Sequence, residues 1–151
     1  GHRDLVARWL ESLVAGGWLA FQVPGNFEEP SHRLLAELAA DPRFAAATAQ
    51  VERPSAEDAS TYLADLCALG CQVDAWETTY HHVLTGEDPV LRWISGTGAR
   101  PVLQALSDEQ RLVFEREYAS LLREAYPSQP YGTVLPFRRV FVVARKARGS
   151  R

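Results

Sequence analysis

Six side chains in this sequence could carry ligand chemistry: Asn26, His32, Tyr80, Arg92, Arg100 and Arg138. The arginine fork is the group best matched to a carboxylate, because its two parallel N–H donors meet both oxygens at once. Arg138 and Arg139 are neighbours in an apolar run, so in a strand they point to opposite faces and only one reaches a given pocket. Arg138 is the preferred candidate; the ordinary alternative is that both are solvated edge charges. Asn26 follows Gly16-Gly17-Trp18-Leu19-Ala20-Phe21-Gln22-Val23-Pro24-Gly25, which reads as a helix stop, a short buried strand and a sharp turn. In an open α/β sheet such a turn lies at the carboxyl end of a strand, where these folds bind ligands. Turn geometry alone also favours asparagine, so both explanations stand.

Ser31 and His32 open a helix after Pro30, where backbone N–H groups attract anions. Ser31 reads as a helix cap, whereas His32 is either a donor to a carboxylate or a surface histidine. Tyr80 lies near the end of a strand pattern, with Trp76 on its face and Glu77 and His81 on the other. His81-His82 cannot chelate one ion from opposite faces, so no metal site is expected there. Arg92 and Arg100 accompany Trp93, Ser95 and Thr97 in a helical stretch. Trp93 is ordinarily a packing residue, and Arg100 before Pro101 an ordinary loop residue.

These side chains need elements to position them. Leu5, Val6, Trp9, Leu10 and Leu13 repeat at helical spacing up to a left-handed stop at Gly16-Gly17. Trp18–Val23 is too short for a helix and is bounded by glycine and proline, so it reads as a central strand. Leu34, Leu35 and Leu38 make a short helix, and a second short helix is expected from Pro42 to Thr48. Ser55 is the expected cap of a helix through Tyr62 and Leu66 to Gly70. Gln72–Leu84 has a strand composition. Pro89 suits a first helical turn, and Ser107 with Gln110 forms a capping box ahead of Phe114, Tyr118 and Leu122. Phe137–Ala144 is the last strand, begun by the two arginines, and Lys146–Arg151 a frayed basic tail. The order α-β-α-α-β-α-β suits a three-layer α/β sheet.

A net charge of -3 with mixed signs argues against a nucleic-acid partner. No apolar run approaches the roughly 20 residues of a membrane span, so no membrane partner is expected. Cys67 and Cys71 are expected as free buried thiols in a reducing, cytoplasmic setting. Gly1-His2 reads as a vector remnant or the stub of a longer chain.

Four ordered blocks carry a resemblance: Gly16–Phe27 with Glu29-Pro30-Ser31-His32; Val73-Asp74-Ala75-Trp76-Glu77-Thr78-Thr79-Tyr80; Asp88-Pro89-Val90-Leu91 with Trp93-Ile94-Ser95-Gly96-Thr97; and Pro136-Phe137-Arg138-Arg139. Together, from about Leu5 to Arg145, they resemble the trans-aconitate 2-methyltransferases, S-adenosylmethionine-dependent enzymes with a Rossmann-like sheet. In that fold the cofactor sits on a glycine-rich turn after the first strand, with an acidic residue after the second; neither is present. Gly96-Thr97-Gly98 has Pro101 where a third glycine would fall and follows a helical pattern, so it fails the context test. The resemblance therefore implies a carboxyl-terminal portion carrying the fifth, sixth and seventh strands. The last strand should run antiparallel between the other two, with a helical lid at about residues 87–130. The whole chain reads as one partial domain, expected to bind the cofactor poorly by itself.

The implied activity is monomethyl ester formation on trans-aconitate, whose role would be detoxification, since that acid inhibits aconitase. No residue need act as a base, because the carboxylate nucleophile is already ionised; alignment and exclusion of water supply the rate. An antiparallel last strand would bring Arg138 to the edge that holds Asn26, and the insertion would bring Arg92 and Arg100 over it, toward a small polycarboxylate. The alternatives are a methyltransferase for another carboxylate, such as an acyl-carrier thioester, or a non-catalytic fragment that binds an anion or forms a homodimer through an exposed strand edge.

Overall fold

A computed structural model describes residues 2–148. The elements are α1 (His2–Ser12), β1 (Trp18–Pro24), α2 (Pro30–Ala39), α3 (Ala45–Thr48), α4 (Ala59–Ala68), β2 (Gln72–Leu84), α5 (Pro89–Ser95), α6 (Arg100–Ala105), α7 (Asp108–Ala125) and β3 (Thr133–Arg145). The architecture is mixed α/β, with a three-stranded sheet in the order β1-β3-β2. β1 and β3 are antiparallel, in register from Trp18 opposite Arg145 to Pro24 opposite Arg139. Along β2 the partners on β3 fall in number as β2 rises: Trp76 stacks on Phe141, and His82 meets Phe137. β3 is therefore antiparallel to both neighbours, and the expected slot for the last strand is the observed one.

The last strand begins at Thr133, ahead of the expected Phe137, so Arg138 and Arg139 lie inside it and do not start it. Pro136 lies within the strand and lacks an N–H for the ladder. Pairing with β1 stops at Arg139, so Pro136 meets no β1 residue and costs no bond there. Among the described residues β3 lies between β1 and β2. The burial of β1 alternates, with Trp18 and Gln22 exposed, as one-sided packing requires.

Two helix starts also differ from expectation. α4 is capped by Asp58, whose carboxylate accepts from Thr61 N–H at 2.7 Å, and not by Ser55. Aspartate is as good an N-cap as serine and lies directly before the first helical residue. α2 has Glu29 at its N-cap without a side-chain bond and Pro30 in its first turn, so Ser31 lies inside the helix. The Ser107–Gln110 capping box forms as expected, and Gly16 takes the left-handed conformation, with φ of 77°.

The chain divides into two compact units. The first comprises residues 1–25, 56–79 and 138–151, with a core of Val6, Leu10, Tyr62, Leu66, Val140 and Val142. His2 belongs to α1 and its Nε2 lies 2.6 Å from the Tyr62 hydroxyl; Gly1 lies outside the described residues. Lys146 is no part of a frayed tail: its ammonium donates to the carbonyls of Leu10, Glu11 and Leu13 around the end of α1. The rest of that tail, 149–151, lies outside the described residues. Cys67 is exposed and Cys71 buried, both free; Cys67 falls on the outer face of α4, so only one thiol is in the core.

The second unit comprises residues 26–55 and 80–137, with α2, α3, α5, α6 and α7 around Leu35, Phe44, Ile94, Leu103, Phe114 and Leu122. Phe44 and Phe114 meet edge-to-face at 5.1 Å, the arrangement aromatic pairs prefer.

Candidate functional site

In the second unit the start of α2 is held by two tyrosines of α7. Ser31 is buried; its N–H donates to the Tyr126 hydroxyl at 3.1 Å, and the Tyr118 hydroxyl donates to the Ser31 carbonyl at 2.7 Å. Burial, with Tyr126 nearby, pushes the Tyr118 hydroxyl well above its usual pKa, so it stays a donor. The N–H groups of His32 and Arg33 turn back to the Glu29 carbonyl. The first amides of α2 are thus spent within the fold, and the anion-attracting helix start expected at Ser31 does not exist.

His32 is half-buried, and burial lowers its pKa, so the ring is neutral at pH 7. Nδ1 lies 3.3 Å from Ser31 Oγ, and the ring meets Phe27 edge-on at 5.4 Å. A Cβ on Gly98 would stand 2.8 Å from His32 Nε2, so glycine is required for the α5–α6 connection to approach the ring. The Gly96–Gly98 turn therefore packs on a side chain and offers no cradle for a cofactor phosphate or carboxylate. Asn26 is 5% exposed and its Oδ1 has no hydrogen-bond partner, while its carbonyl accepts from Glu29 N–H at 3.1 Å. Such buried unpaired atoms are costly and rare.

Tyr80 joins an aromatic group with His82, Trp93 and Phe137. The His82 ring lies 4.8 Å from Trp93 and 6.3 Å from Tyr80, and both outer rings stay partly exposed. Arg92 is exposed, with Nη1 beside Gly86, and Arg100 is exposed at the start of α6. A cleft of about 390 Å³ lies nearby, lined by Asp88, Arg123, Tyr126, Ser128 and Thr133 among others. Asp88 adopts a left-handed φ of 43°, and its carboxylate binds Arg123. The sequence reading missed Arg123; the one available signal was Asp88 before Pro89, an acid at a helix start.

In the first unit the two strand arginines are tied down. Arg138 Nε donates to the Gly25 carbonyl at 2.8 Å and Nη1 to Glu77 at 2.9 Å, while Gly25 N–H returns a bond to the Arg138 carbonyl. Arg139 donates to the Gln22 side chain. Neither is a solvated edge charge. A second cleft of about 400 Å³ is bordered by Gly70, Gln72, Arg145, Lys146 and Arg148. Of its cations, Lys146 is held by α1, and Arg145 lies over the Trp18 ring at 5.5 Å.

A mixed α/β sheet with its last strand antiparallel between the two before it is consistent with part of a methyltransferase fold. No protein-family model matches the chain. Curated proteins do. The trans-aconitate 2-methyltransferase of Streptomyces avermitilis is 53% identical over 148 residues, 97% of this chain and 55% of its own length. That of Streptomyces coelicolor is 53% identical over 99% of this chain and 51% of its own, and that of Rhodococcus jostii 50% identical over 95% and 58%. The chain is thus a relative of the trans-aconitate 2-methyltransferases. It spans about half the length of the curated relatives it matches and corresponds to their carboxyl-terminal portion.

Proposed function

We propose that the protein carrying this chain is an S-adenosylmethionine-dependent O-methyltransferase that esterifies one carboxylate of trans-aconitate. What supports this reading is identity of about one residue in two, sustained over 95–99% of the chain, with relatives of that name. The Rossmann-like sheet, the cytoplasmic location and the detoxifying role belong to the same reading. No helix among the described residues is long and apolar enough to cross a membrane. The residues described do not fit the methyl donor, since the one glycine turn that resembles a cradle is filled by His32. This chain's contribution is therefore to the acid.

Its tasks are to bind, orient and dry a substrate that is already ionised at neutral pH. Asn26 and His32 are assigned to hydrogen-bonding the acid and Tyr80 to covering it, with Arg92 and Arg100 supplying charge toward its further carboxylates. Arg138 is assigned through its bond to the Gly25 carbonyl, which fixes the residue preceding Asn26. The partial domain and its lid at about residues 87–130 are part of the proposal, as is self-association through a strand edge, which sedimentation of the full protein tests.

The deciding experiment is methyl transfer from S-adenosylmethionine to trans-aconitate by a polypeptide spanning the relatives' full length, read as ester mass. Product from trans-aconitate is expected. No product there, with product from another acid, supports the other-carboxylate alternative; tight anion binding without any transfer supports a non-catalytic one.

A further inference from the structure

Asp88 stands at the N-cap of α5 and does not cap it. It is the one residue other than glycine with a positive φ among the described residues, at φ 43° and ψ 52°, and Pro89 follows it. Both facts oppose that backbone: a side chain strains the left-handed region, and a following proline pushes its predecessor toward an extended conformation. Extended, an aspartate at this N-cap would accept from the Val90 or Leu91 amide, yet it makes no such bond. Its carboxylate instead accepts from Arg123 in the last turn of α7. The Arg123 side chain is 59% exposed, and a pair so open to water is worth no more than the strain it maintains. The turn is thus close to balance between two positions of one carboxylate.

The pair lines the cleft of about 390 Å³ in the second unit, which Val90 and Leu122 line with apolar surface. Tyr126, on the same lining, accepts from Ser31 N–H and keeps its own hydroxyl proton unspent. Glu87 is exposed there, and Arg92 Nη1 stands beside Gly86 on the same turn. We propose that Arg123 is a carboxylate-binding residue of this cleft, with Asp88 as the chain's own placeholder that an incoming carboxylate displaces. The ligand's carboxylate takes the guanidinium fork, and Asp88 turns extended to cap α5. That exchange relieves the backbone strain and withdraws a like charge from the ligand. The assignment rests on the reading of the protein as acting on a small polycarboxylate and adds Arg123 to the groups that hold it.

The test measures tricarballylate binding to the full-length protein by calorimetry, without a methyl donor. Arg123→Gln should weaken binding about 10- to 100-fold, the value of hydrogen bonds to a charged group. Asp88→Asn removes the competing charge while keeping a side chain that tolerates the left-handed region and caps helices equally well. It should tighten binding about 2- to 5-fold, the value of an exposed ion pair. The double variant should bind as weakly as Arg123→Gln alone, since Asp88 acts through Arg123. In the wild type the Asp88 ¹³Cα signal should move toward extended values as tricarballylate is added. Arg123→Gln that binds as well as wild type, Asp88→Asn that binds more weakly, or an Asp88 signal that stays put overturns the proposal. So does an absence of binding by both wild type and Asp88→Asn. A protein that shows these responses but does not esterify trans-aconitate overturns the proposed function and leaves Arg123 in its role. Ester formation that survives Arg123→Gln with unchanged KM overturns the assignment and leaves the function.

Discussion

Both units pair cations within the fold, and the second in addition holds a buried polar atom without a partner. In the first, cations are consumed by the fold: Lys146 closes the end of α1, Arg138 ties Gly25 to Glu77, and Arg3 pairs with Asp65. In the second, the turn ahead of α2 keeps a buried, unpaired acceptor on Asn26. A cation on a strand is therefore a poorer guide to ligand binding than a neutral polar group left unsatisfied under burial. Arginine looks functional in a sequence because it can pair with a carboxylate, but backbone carbonyls and glutamates of the same chain compete for it first.

The comparison can be broken at four points. The largest effect is expected in the cores, where Phe114→Ala should cost about 3–5 kcal/mol and Leu66→Ala about 2–5 kcal/mol in denaturant melts. Similar losses would show that the units differ in polar economy and not in packing; a negligible loss at either site would undo that. Lys146→Met should destabilise by about 1–2 kcal/mol, since the Glu11 and Leu13 carbonyls lose their side-chain donor and Leu10 one of its two, with no change in affinity for the acid. Asn26→Leu should do the reverse, raising stability by about 1 kcal/mol as a buried unpaired amide oxygen is removed, while weakening binding. A clear destabilisation there would mean that Asn26 serves the fold.

The smallest effect concerns the surface of the second unit, where Asp41 is held at about 2 by the Arg43 guanidinium and backbone N–H. A carboxyl with a depressed pKa stabilises the fold above its unfolded value near 4, and that stabilisation is lost as pH falls through about 2. Asp41→Asn should therefore lower the melting temperature slightly at pH 7 and flatten its fall between pH 4 and 2. An unchanged acid limb would remove Asp41 from the ion-pair network with Arg43 and Glu117.

Much of the scaffold was legible because it follows local rules. β1, β2 and α7 lie where glycine, proline, strand composition and a capping box put them. The early start of β3 was not legible, because Pro136 is harmless only where β1 has ended, a fact of register. Among the candidates, the sequence places Asn26 in a turn and His32 at a helix start, where the structure has them, but the amides expected to attract an anion at that start are already bonded. Its amides are satisfied by Glu29 and by a tyrosine 95 positions away.

By itself the sequence determined the order of the elements, the periodicity of their buried faces and the kinship with trans-aconitate 2-methyltransferases, since each is written in neighbouring residues or in ordered blocks of them. Tertiary structure decided which charges remain available. Arg138 is spent on Gly25 and Lys146 on α1, and burial lowers the pKa of His32. The reason is physical: desolvation and hydrogen-bond competition depend on partners more than a hundred residues apart, and no local pattern encodes them.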